Sequence, residues 1–245
     1  VNRLPVSVLG ADRLVLPVAG SDPAPDGQAP PADDWLRWND YGIGLLLKPG
    51  RGELRQAEQA FARVEALGRP DGPLNLARVY LRGGRVGGEA PRALVRAAAC
   101  EPSPRAWTRL WLASQVKRDN GDLAGAAADL EQILDGGFAQ AAGRGFDFSR
   151  DERVHVMLGE LREQLAQRST GAVRTSLLEA AAASFERALA LDPEGLAAHW
   201  GLRQVFAQLG DAERARHHVL EHARYKPDDG ARDRAVRRAR AADPA

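Results

Sequence analysis

Cysteine is almost missing from this 245-residue chain. Cys100 stands alone, which excludes an internal disulfide framework and any cysteine-based metal site. Its surroundings, ALVRAAACEP, make it a small packing residue near a helix end. Lysine is nearly as scarce: Lys48, Lys117 and Lys226 are the only three, and the other cations are arginines, the habit of a GC-rich genome. Neither sign of charge prevails, with 34 basic against 33 acidic residues and a net charge of +1. A chain so balanced has no global electrostatic attraction to nucleic acid or to an anionic membrane. Aromatic residues make up 6%, so alanine and leucine carry the apolar packing, which suits contacts between helices. No apolar run approaches the roughly 18 residues of a membrane span. No secretory signal is recognisable, and the first residue is Val rather than Met, which points to processing or to excision from a longer polypeptide.

What the chain does have is helical period. Residues 1–20 differ from the rest: Val6, Val8, Val15, Leu16 and Val18 flank a Gly10-Ala11-Asp12 turn and predict a short β-rich arm. Such a hairpin is marginal alone and must pack on something. Residues 21–33 form a Pro-rich linker. From 34 to 228 apolar positions recur at helical spacing in about five helix pairs, with Asp33 or Asp34 as the first N-cap. Gly121-Asp122 and Gly210-Asp211 mark the turns within two of the pairs. Each second helix repeats a 4-then-3 step: Ala57/Phe61/Val64, Ala90/Leu94/Ala97, Ala126/Leu130/Ile133, Ala181/Phe185/Ala188 and Ala215/Val219/His222. That step is one helix face.

Two departures interrupt the pattern. A long connection over 135–151 separates the third and fourth pairs, and its Phe138, Phe146 and Phe148 are expected to tuck back onto the helices. Around 168–176 the fourth pair has about ten more residues than its neighbours, expected between its helices. Residues 229–245 are read as a basic capping helix and tail, with Arg232, Arg234, Arg237, Arg238 and Arg240 on the helix.

Pro193 and Pro227, 34 residues apart, enclose one complete repeat unit. The placement of Leu202, Phe206, Gly210, Ala215, Val219 and Pro227, and the ending ASFERALALDP before it, resemble the tetratricopeptide repeat family. The resemblance implies an all-α fold, a right-handed superhelical solenoid whose concave wall binds a protein or peptide partner. The family's frame assigns to that wall Leu74, Arg78 and Arg82; Trp111, Gln115 and Arg118; Arg153, Glu160 and Glu163; and Trp200, Gln204 and Gln208. Trp111 and Trp200 lead this set, because an indole offers a large apolar face and an N–H donor. The lysines and asparagines of the family's carboxylate clamp are missing, so a chaperone C-terminus is not the expected ligand.

A narrower resemblance lies in WNDYGIGLLL, LGRPDGPLNLARVYL and RGFDFSRDERVHVMLGELR. These stretches look like the C-terminal repeat region of bacterial multihaem c-type cytochrome proteins. It implies a periplasmic or extracellular location and a cytochrome neighbour. The chain has no CxxCH motif and attaches no haem itself.

For chemistry the sequence provides little. HVLEH matches an H-x-x-E-H zinc-peptidase pattern and makes His218 and His222 metal candidates. No glutamate follows Glu221 to complete a ligand set, and packing alone produces that spacing. His217 and Glu221 are spaced for an i, i+4 pair. GRGFDF lacks the strand and the lysine of a phosphate-binding loop. No catalytic residue and no cofactor are assigned. The leading reading is a non-catalytic interaction scaffold; a self-assembling filament or tube subunit and a metal-dependent enzyme at His218/His222 are the alternatives.

Overall fold

The computed structural model describes residues 33–48 and 51–226. The expected β arm (1–20), almost all of the linker and the basic segment 229–245 lie outside these residues. Secondary structure among the described residues is helical throughout. Five pairs follow one another: α1 (Trp35–Leu47) with α2 (Arg51–Ala66), α3 (Asp71–Arg82) with α4 (Glu89–Ala98), and α5 (Ala106–Asp119) with α6 (Leu123–Asp135). After a short α7 (Ala139–Ala142) come α8 (Glu152–Gln167) with α9 (Gly171–Leu191), and α10 (Leu196–Leu209) with α11 (Ala212–Tyr225). The chain divides into two compact units, Val1–Ser149 and Arg150–Ala245.

Aspartates start the helices as their composition predicts. Asp34, Asp122, Asp151 and Asp211 each accept a hydrogen bond from a backbone N–H of the first turn, at 2.9 to 3.1 Å. Each satisfies a donor that the helix itself leaves without a partner. In two pairs the turn before the cap is a glycine in the left-handed region, Gly121 at φ +83° and Gly210 at φ +81°. A side chain is strained there, so Gly-Asp is a stop followed by a start.

In the first unit, Ala57, Phe61 and Val64 are fully buried, and Ala57 and Phe61 pack with Leu45, Leu76 and Val79. Phe61 comes so close to α1 that a Cβ on Gly42 would stand 2.7 Å from its ring. The connection after α6 folds back: Phe138 and Phe148 lie 5.4 and 5.6 Å from the buried Trp107 ring, centroid to centroid. Phe146 is half-buried, beside the Arg144 guanidinium.

In the second unit, Phe185 of α9 is fully buried, and α8 and α10 reach it through glycines. A Cβ on Gly159 would lie 2.8 Å from the ring, and one on Gly201 2.4 Å. Around it pack Leu178, Ala181, Leu202, Val205 and Phe206.

Two expectations are corrected here. The additional residues of the fourth pair do not lie between its helices. Only Arg168–Thr170 link α8 to α9, and the rest lengthen α9 to 21 residues. Nothing in AVRTSLLEAA breaks a helix, and Leu177 and Leu178 continue the apolar stripe onto the core. The 4-then-3 face is buried in α2, α6 and α9 and nearly so in α4, but not in α11. There Val219 is 44% exposed, and the buried residues are Ala215 and His218. An i, i+3 step faces α10, and Val219 is turned away from it.

Candidate functional site

Of the six wall positions expected in the first unit, Leu74, Arg78 and Arg82 take part in contacts between helices, while Gln115 and Arg118 bond within their own segment. Leu74 is buried with Ala97 and Leu112 and lines nothing, a correction to its assignment. Its i, i+3 neighbours face the core, and it follows them. Arg78 donates to Asn75, whose amide in turn donates to Asn39 Oδ1 across α1 and α3 at 2.8 Å. Arg82 donates to the carbonyls of Leu46 and Lys48, satisfying the end of α1. Arg118 pairs with Asp119 at 3.0 Å. Trp111 is half-buried, and its carbonyl accepts from Ser114 Oγ and Gln115 Nε2.

The buried Asn39–Asn75 contact gives a direct test. Asn75→Ala strands the Asn39 carbonyl and removes one acceptor of Arg78. A loss of about 2 kcal/mol in denaturant unfolding is the expected outcome; a change within error would show that water replaces the contact.

In the second unit two of the six expected wall positions, Glu163 and Gln208, are in contact. Gln208 of α10 donates to Glu163 of α8 at 2.8 Å, and Arg174 of α9 donates to Gln208 Oε1 at 2.9 Å. Three helices thus meet in one polar relay. Burial raises the Glu163 carboxyl above its ordinary range; the Gln208 hydrogen bond opposes this shift, and nearby Glu160 adds to it. Arg153 is bound to the buried Asp151 carboxylate at 2.8 Å. Glu160 and Gln204 are half-buried. Trp200 is 44% exposed, with the Arg203 guanidinium 4.2 Å from its ring centroid and His222 at 5.5 Å. Arg174 escapes a sequence reading because its segment looks like an insertion between helices.

The histidines are arranged otherwise than HVLEH suggests. His218 is buried, and its Nδ1 lies 3.0 Å from Nδ1 of His199, while His222 lies against Trp200. His199 Nε2 is 3.0 Å from the Pro193 carbonyl, which only accepts. In the neutral tautomer that satisfies this acceptor, His199 carries its proton on Nε2, and His218 then donates from Nδ1. Burial, then the neighbouring His199 and His217, depress the pKa of His218 to about 4. The expected His217–Glu221 pairing gives way to Glu221 with Arg224. Among the described residues no group of three or more His, Cys, Asp or Glu could hold a metal ion. The sequence signals the burial of His199, which occupies an inward position of α10 between Ala198 and the Leu202 stripe, but not its partner.

No family model matches the chain, and no curated protein matches it either. Among solved structures it is similar to a point mutant of MamA, with a TM-score of 0.55 and 19% identity, over 78% of this chain and 97% of that one. It also matches an IFIT1 monomeric mutant with Gppp-AAAA, at TM-score 0.43 and 15% identity, over 79% of this chain and 51% of that one; so distant a match carries no argument. No helix among the described residues is long and apolar enough to cross a membrane. With the helix pairs described above, the likeness to MamA makes the fold of the described residues all-helical and tetratricopeptide-like.

Proposed function

We propose that the protein is a non-catalytic interaction scaffold. Repeated helix pairs of this kind hold extended surface in place for a partner, and the partner is a protein or peptide segment. The observation that carries the reading is the Gln208–Glu163 contact. It sets side by side two positions that the repeat frame assigns independently to one wall, with the exposed Trp200 on the same helix as Gln208. The indole supplies the apolar anchor and the flanking amides and carboxylates the hydrogen bonds, the composition of an interface centre within a polar rim.

The experiment is photocrosslinking in cells that make the protein. An azido- or benzoyl-phenylalanine at position 200 or 204 should yield one discrete protein adduct, and the same group at the exposed position 216 of α11 should not. Equal adducts from both sides would remove the wall as the site.

The finer expectations, a right-handed superhelical groove and an extracytoplasmic partner of the multihaem cytochrome kind, rest on the sequence resemblances. Identification of the crosslinked protein by mass spectrometry tests the second of them.

A further inference from the structure

A second surface of the Arg150–Ala245 unit has neither Trp200 nor any residue of the Arg174–Gln208–Glu163 relay in its lining. The turn between α10 and α11 and the facing side of α9 enclose an open cavity of about 710 Å³. Its floor is apolar: Ala182 and Phe206 are buried, and Leu209 and the exposed Ala183 complete it. On its rim stand three exposed carboxylates, Glu179 and Glu186 of α9 and Glu213 of α11. Among the described residues no cation pairs with any of the three. The one cation in the lining, Arg214, is committed to Asp211 at 2.5 Å and lies 4.1 Å over the Phe206 ring. The cavity therefore joins an apolar base to a local excess of negative charge.

We infer that this cavity is a docking groove for a basic segment of a partner protein, with arginine or lysine side chains set against Glu179 and Glu186 and small apolar residues between them. Charge complementarity selects the occupant, since like charge there adds repulsion and a neutral segment leaves the rim unpaired. Spacing narrows it further. Glu179 and Glu186 are seven residues apart on one helix, about 10 Å along its axis. Thr175, Glu179, Ala182 and Glu186 form a single stripe at i, i+4, i+7 and i+11. A partner helix with cations at i and i+7 matches that separation. Thr175 belongs to the lengthened start of α9, so the helix that departs from its counterparts in length supplies one wall of this groove.

The test uses the whole chain and a labelled alanine-rich helical peptide with two arginines at i and i+7, followed by fluorescence anisotropy. Saturable binding is expected, weakened about ten-fold or more in Glu179→Gln/Glu186→Gln. Ala183→Phe, which fills the floor and keeps every carboxylate, should weaken it comparably; Glu194→Gln, an exposed carboxylate off the groove, should not. No binding overturns the proposal. So does a loss confined to the charge variants or matched by Glu194→Gln, for that describes diffuse attraction and no groove. Trp200→Ala should leave the affinity unchanged, so this result and that of the Trp200 wall are read independently.

Discussion

Phe185→Ala should lower the unfolding free energy of the Arg150–Ala245 unit by about 4 kcal/mol, the range for emptying a phenylalanine site that cannot collapse. The ring is fully buried, and the helices on either side of it carry glycines at the contact, Gly159 and Gly201. Neither has a side chain that could swing into the void, and both backbones are held by their own helices. Gly201→Ala approaches the same site from the other direction. A methyl 2.4 Å from the ring must displace it, at about 1–3 kcal/mol or more. Denaturant unfolding of the full chain, followed by circular dichroism, checks both. The decisive comparison is Gly201→Ala combined with Phe185→Leu, whose smaller side chain leaves room for the methyl. Recovery of part of the loss is expected, and strict additivity would show that the two sites are not in contact.

Acid should weaken the same unit through His218. In an unfolded chain a histidine titrates near 6.5, whereas the folded His218 does so at about 4. Between those values the unfolded chain binds the extra proton and the fold does not. Stability is complete above about pH 6.5, falls as pH drops toward 4, and levels off below, by about 3 kcal/mol in all. The groups facing His218 are His199 from α10 and His217, Glu221 and Arg214 from α11. Only the carboxylate favours the imidazolium; the remainder oppose it. His218→Phe keeps a ring stacked on Phe206 and removes the titrating group. Its stability near neutrality should be lower by about 1 kcal/mol, for the lost hydrogen bond to His199. Its decline between pH 6.5 and 4 should be much shallower. An undiminished decline would assign the acid sensitivity to other groups.

The helix pairs were most legible where local signals agree, as at Gly121-Asp122 and Gly210-Asp211. An aspartate caps the start, glycines break the chain between helices, and the 4-then-3 spacing of Ala57/Phe61/Val64 or Ala181/Phe185/Ala188 marks the face between them. Where only one signal was present the reading failed. Residues 168–176 have the glycine and serine of a loop, yet the leucines beyond them draw the segment into α9. In α11 the 4-then-3 step through Val219 was the wrong step: from Ala215 the buried face continues at i+3, where His218 takes a position that an apolar residue would have announced.

Wall residues were harder to read for another reason. Arginine serves equally as a staple and as a ligand, and the sequence does not distinguish Arg82 bonded to carbonyls of α1 from an arginine awaiting a partner. Contacts such as Arg174–Gln208 join residues 34 apart, beyond the reach of any local pattern. The His199–His218 contact spans 19 and crosses a turn.

The Arg174–Gln208–Glu163 relay has a kinetic consequence. Side chains tethered at both ends have already surrendered their rotational freedom during folding, so a visitor to that patch encounters a rigid template and does not have to order it on arrival. Association there should follow simple single-step kinetics, without the slow tightening phase of a surface that rearranges around its guest.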